Sequence, residues 1–146
     1  MSGTSAGASQ SGDYDWPYQR DGTSPPAEDH EIDGLQNELG VSLPADMRAF
    51  YRFSNGFNGE FDHRGNYARI HSLAEVVSST TGYDVAQQLG LTIIGDNGGG
   101  YAFALDHAVD PPRYVGLSLL AADRSELKEL GGTFQEFLAS LAAGET

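Results

Sequence analysis

No cysteine occurs in this 146-residue chain. Disulfides and thiolate-held zinc or iron–sulfur sites are therefore excluded, as is a thiol nucleophile. Nothing requires an oxidising compartment. Long apolar runs are missing too, and none approaches the roughly 18 residues of a membrane helix. The N-terminal stretch lacks a basic start followed by an apolar core, the mark of a secretory signal. A cytoplasmic protein with no membrane partner is the expectation. Positive charge is scarce: 8 basic residues stand against 21 acidic ones, for a net charge of −13. Lys128 is the single lysine, and arginine over lysine with abundant Ala and Gly hints at a GC-rich bacterial genome. So acidic a chain repels nucleic acid and attracts a basic partner. Acidity that only maintains solubility is the plainer alternative.

Catalytic signatures are also lacking. The histidines His30, His63, His71 and His107 show no HExxH spacing. His63 and His71 leave open a site assembled in three dimensions. No G-x-S-x-G elbow exists. Asp106 with Asp110, or Asp96 with Asp106, has the residue types for paired acid–base work. Aspartates crowd turns for backbone reasons, however, so their spacing does not establish it. No metal or cofactor is implied. These absences favour a binding domain over an enzyme.

The most informative stretch present is Leu91–Asp106, LTIIGDNGGGYAFALD. Leu91–Ile94 are β-formers, and Tyr101, Phe103 and Leu105 alternate with alanines. The glycines between them tolerate positive φ, so a hairpin is expected. A phosphate-binding reading of the turn is weak. A P-loop needs Lys and Ser/Thr after its last glycine and then a helix, whereas Tyr101 and a strand pattern follow here.

Residues 1–26 read as a flexible Ser/Gly-rich tail, and 27–146 as one domain. Within the tail, Tyr14, Trp16 and Tyr18 could dock on the domain or on a partner. A first helix is expected over Pro26–Leu39, capped by Ser24, with Ile32, Leu35 and Leu39 as its buried stripe. A second starts at Pro44, buries Met47, Phe50 and Tyr51, and stops at Asn55-Gly56. Phe57–Phe61 is a loop or short strand, and Tyr67–His71 another strand. Ser72 and Glu75 have capping-box spacing before a third helix. A short helix over Tyr83–Leu89 precedes the hairpin. Pro111-Pro112 breaks the chain before a strand at Tyr114–Leu120. Thr133 and Glu136 form a second capping box for a last helix, which buries Phe134, Phe137, Leu138 and Leu141. This order predicts an α+β fold: a mainly antiparallel sheet of four to six strands covered by about four helices.

The landmarks resemble those of the SUKH superfamily, the Smi/Knr-like domain. Ile32–Gly40 looks like its opening helix. Val41-Ser42-Leu43-Pro44-Ala45-Asp46, with Phe50-Tyr51 and Asn55-Gly56, is similar to its LP…NG motif. Ile94–Gly100 looks like its central glycine turn, and Thr133–Leu138 like its closing helix. Phe57 and Tyr101 depart from the pattern, standing where a small and an acidic residue are common. The resemblance implies a SUKH-like fold without a catalytic centre. It also implies an immunity protein that binds and neutralises a cognate bacterial toxin, often a nuclease.

Many such toxins are basic, and a −13 chain can mimic the polyanion they bind. Acids near turns are the expected docking face: Glu60, Asp62, Asp96, Asp106 and Asp110, with Phe57 or Tyr101 as an apolar anchor. Two other readings compete. One is a regulatory or scaffold module with a housekeeping partner. The other is a small-molecule or nucleotide binder using the Gly95–Gly100 turn.

Overall fold

A computed structural model describes residues 14–61, 66–121 and 123–144. Helices α1 (Asp29–Leu39) and α2 (Ala45–Phe53) precede strands β1 (Phe57–Glu60) and β2 (Tyr67–Ile70). Helices α3 (Leu73–Gly82) and α4 (Asp84–Leu89) follow, then β3 (Leu91–Asp96), β4 (Tyr101–Asp106) and β5 (Arg113–Ser118). A 3-10 turn at Arg124–Glu126, β6 (Lys128–Gly131) and α5 (Phe134–Ala142) complete the order. The six strands form one antiparallel sheet in chain order, β1 to β6. The fold is α+β, as the pattern of elements implies.

Alternation in the strands feeds two separate cores. Ile94, Phe103, Leu105, Tyr114 and Leu130 point to the front face, where α1, α2 and α5 supply Ile32, Leu35, Met47, Phe50, Phe134 and Phe137. Ile93, Ala102, Ala104, Val115 and Leu117 point to the back face and meet Val85 and Ala86 of α4. Small residues on the back let this thin layer pack closely. Strands buried on both faces lose the simple polar alternation of a half-exposed sheet.

Local chemistry sets the helix ends. Ser72 Oγ accepts from the Glu75 N–H at 3.3 Å, and the Ser72 N–H donates to Glu75 Oε1 at 3.1 Å, completing the expected capping box. At α5 only half of the second box forms. Thr133 Oγ1 accepts from the Glu136 N–H, while Glu136 Oε1 accepts from Gly132 N–H at 2.8 Å, one residue earlier than expected. The first helix begins at Asp29 and not near Pro26, with Glu28 and not Ser24 at its N-cap. Tertiary bonds explain the shift. The Ala27 N–H donates to Tyr51 O, the Asn55 N–H to Pro25 O and the Ser24 N–H to Ser54 Oγ, so this segment is tied to the end of α2 and stays outside the helix.

The packed part of the chain starts earlier than residue 26. Trp16 is 5% exposed and lies 5.4 Å from Phe50 and 5.0 Å from Phe57, ring centre to ring centre. Tyr14 stacks on Phe53 at 4.9 Å, and Tyr18 meets Phe61 edge-on at 4.9 Å. These three aromatics dock on the domain itself, where their apolar area is removed from water. Residues 1–13, the Ser/Gly-rich part of the expected tail, lie outside the described residues.

Candidate functional site

The glycine turn between β3 and β4 opens onto a cleft of about 330 Å³ on the back of the sheet. Gly95, Ala102 and Ile93 form its floor. Glu75, Ser78 and Ser79 of α3, with Tyr83, make one wall. Gly98, Gly100 and Leu119 make the other, held by a hydrogen bond from the Leu119 N–H to Gly100 O at 3.1 Å.

Its polar end is a fixed network. Arg69 on β2 grips Asp96 at the end of β3 with both guanidinium arms, at 3.1 and 2.8 Å. His71 Nε2 lies 2.7 Å from Asp96 Oδ2. An ionised carboxylate only accepts, so Nε2 carries the proton and donates. His71 Nδ1 is then left as the buried side-chain atom without a partner among the described residues. Burial opposes charge on Asp96, but the hydrogen bonds from Arg69, His71 and the Gly98 N–H outweigh it. They hold the carboxyl below the usual carboxylate range. The His71 backbone is pinned as well: Tyr51 OH donates to its carbonyl at 2.7 Å, and its N–H donates to Ile94 O at 2.8 Å.

The turn itself does not present a phosphate cradle. The Gly98 N–H donates to Asp96 Oδ1 at 2.7 Å, and the Gly99 N–H to Asn97 Oδ1 at 2.9 Å. These two amides are engaged by the turn's own side chains, the Asn97 N–H donates to Tyr101 O, and the Asp96 carboxylate repels an incoming anion. Among the described residues no group of three or more His, Asp or Glu side chains could hold a metal ion. His63 lies outside them.

A second charged cluster sits at the far end of the hairpin. Asp106 is wholly buried; its Oδ2 accepts from Arg113 Nε at 2.9 Å and also from Arg124 Nη2. Its Oδ1 accepts from the Ala108 N–H at 3.0 Å. Arg124 Nη1 also donates to Leu89 O at 2.6 Å, tying the 3-10 turn to the end of α4. Burial opposes the charge on Asp106, yet these donors hold its carboxyl below the usual range. Asp96 and Asp106 do not form an acid–base pair. They occupy opposite ends of β3 and β4, and each is matched by arginine.

The expected docking residues are scattered. Asp96 lines the cleft. Tyr101 is half-buried on the other face of the sheet, packed over Gly116. Glu60 and Asp110 are exposed, at the end of β1 and in the β4–β5 connection. Asp62 lies outside the described residues. Two assignments need correction. Phe57 is 2% exposed beneath Trp16, and Asp106 is 0% exposed, so neither side chain offers surface to a partner. Phe57 reads as an exposed anchor only while the Trp16 that covers it is taken for tail. Sequence reasoning held His71 open as part of a site assembled in three dimensions, but it missed Arg69, Tyr83, Leu119 and Leu120. Their proximity comes from strand pairing between β2 and β3 and from the turn after β5, neither of which leaves a local motif.

The arrangement is that of an α+β domain with an open, partly apolar cleft and internally balanced ion pairs. Residues 26–140 match the model of the SMI1 / KNR4 family (SUKH-1). The chain belongs to that family. Comparison with curated proteins gives no match.

Proposed function

We propose that this protein is a non-catalytic, immunity-type binding protein that neutralises a cognate bacterial toxin, one of basic, nuclease type. The observation that carries the reading is family membership across residues 26–140. The net charge of −13 gives it direction, because a basic nuclease surface is the natural complement of so acidic a chain. Exposed carboxylates such as Glu60 and Asp110 add to the steering field. The balanced ion pairs of Asp96 and Asp106 suit a stable scaffold better than a reacting centre. The test is co-expression with the toxin domain encoded beside this gene. Rescue of growth together with a stoichiometric complex is the expected result. A toxic neighbour that is neither bound nor silenced overturns the reading and leaves the regulatory-module alternative.

A further inference from the structure

We propose that the back-face cleft is the surface on which the toxin docks, and that the toxin segment seated there is basic and carries an apolar side chain. This assignment rests on the immunity reading above.

Among the described residues, the large apolar side chains that stay exposed are Tyr67, Tyr83, Val109 and Leu120. Tyr83 lies in this cleft, and Leu120 and Tyr67 adjoin residues of its rim. Tyr83 lines it directly. Leu120 follows Leu119, which forms the opposite wall, and is 93% exposed. Tyr67 lies against Gly98 of the turn, with its ring 3.4 Å from where a Cβ on that glycine would stand. A leucine held almost fully in water gains nothing in the free chain, while its burial by a partner is favourable. Its backbone is anchored, since the Leu120 N–H donates to Ser118 Oγ at 3.1 Å and the Ala121 N–H donates to Ser118 O at 2.9 Å. The anchor is thus presented on a firm turn, which limits the ordering cost of binding.

Charge selects the occupant. Arg69 lines the cleft, but its guanidinium is matched by Asp96. The exposed carboxylate of Glu75 lines the same cleft, and exposed Asp84 follows Tyr83 in the chain. The rim therefore keeps negative charge that its own arginine does not balance, in a chain of net charge −13. Helix α1 and its N-cap carry more acids, Glu28, Asp29, Glu31, Asp33 and Glu38, but the helix's apolar residues Ile32 and Leu35 are buried inward. It is a solvated face without an anchor. The cleft combines anchor and charge, which is what a basic, partly apolar segment requires.

Leu120 allows a test that spares the fold. Affinity for the toxin domain encoded beside this gene is measured for the wild-type protein and for Leu120→Glu, Leu120→Lys and Asp33→Lys, each checked for unchanged folding by circular dichroism. Leu120→Glu should weaken binding about tenfold by loss of the anchor, and Leu120→Lys about a hundredfold because like charge now meets the partner. Asp33→Lys, on α1, should stay within about threefold of wild type, since a single remote rim charge changes little. Wild-type binding that both Leu120 variants retain would overturn the cleft assignment and leave the immunity reading standing. Binding that Asp33→Lys weakens more than Leu120→Lys would place the interface on the α1 face. No wild-type binding would remove both.

Discussion

Arg69 and Asp96 face each other across β2 and β3 in a two-armed ion pair, Nε to Oδ1 at 3.1 Å and Nη2 to Oδ2 at 2.8 Å. They are also register partners in the sheet. One carboxylate thus joins two strands, orients His71 and closes the glycine turn. Asp96→Ala strands Arg69 and frees the Gly98 N–H, so a loss of about 2–3 kcal/mol is expected. Urea denaturation measures it; a loss below about 0.5 kcal/mol would show that the pair behaves as an ordinary surface bridge.

Acid should weaken the fold through Asp106 and Asp96. Both have a folded-state pKa below the unfolded value near 3.9. The native state therefore holds fewer protons than the unfolded chain as pH falls, so stability is full above the unfolded pKa and is lost through the depressed one. His107 acts in the same direction at higher pH. Burial lowers its pKa despite neighbouring Asp106, so stability declines as pH falls below about 6.5. Denaturation of wild type and Asp106→Asn between pH 7 and 3 gives the check. The variant should be weaker by about 3 kcal/mol at pH 7, with the gap closing toward acid. A gap that widens toward acid contradicts the assignment.

Two glycines should respond in opposite senses. A Cβ at Gly95 would stand 2.2 Å from Arg69 O, a backbone atom that cannot swing aside. Gly95→Ala should break the β2–β3 pairing and lower the melting temperature. A Cβ at Gly34, exposed on α1, meets nothing within 4 Å. Gly34→Ala should stabilise by about 0.5–1 kcal/mol through helix propensity. Equal melting shifts for the two variants would refute this.

Trp16 should matter as much as a residue inside the family-matched region. Trp16→Ala empties a site ringed by Phe50, Phe53, Phe57 and Phe61 and is expected to cost about 3–5 kcal/mol. A loss under 1 kcal/mol would mean that the segment merely rests on the surface.

Most of the fold was legible because its elements carry strong local signals. Ile32 and Leu35, Met47 and Phe50, and Phe134 and Phe137 mark buried helical stripes, and the glycine turn marks the hairpin. Other parts depended on tertiary context. β6 reads Lys-Glu-Leu-Gly, with only Leu130 buried, and gives no alternation to detect. Ser24 and Pro25 suit a helix start, yet hydrogen bonds to the end of α2 hold them outside the helix. The expected site was partly legible: the glycine turn and Asp96 border the cleft. Its remaining walls come from α3 and from the turn after β5, distant in sequence, and exposure of a side chain such as Leu120 has no sequence signature.

The most direct test of the account is the affinity of the wild-type protein for the proposed cognate toxin, sought among the products of neighbouring genes, as salt is raised from 50 to about 500 mM. Charge complementarity with a −13 chain predicts tight binding at low salt that weakens steadily, chiefly through slower association. No detectable binding at low salt, or an affinity that salt leaves unchanged, would contradict it.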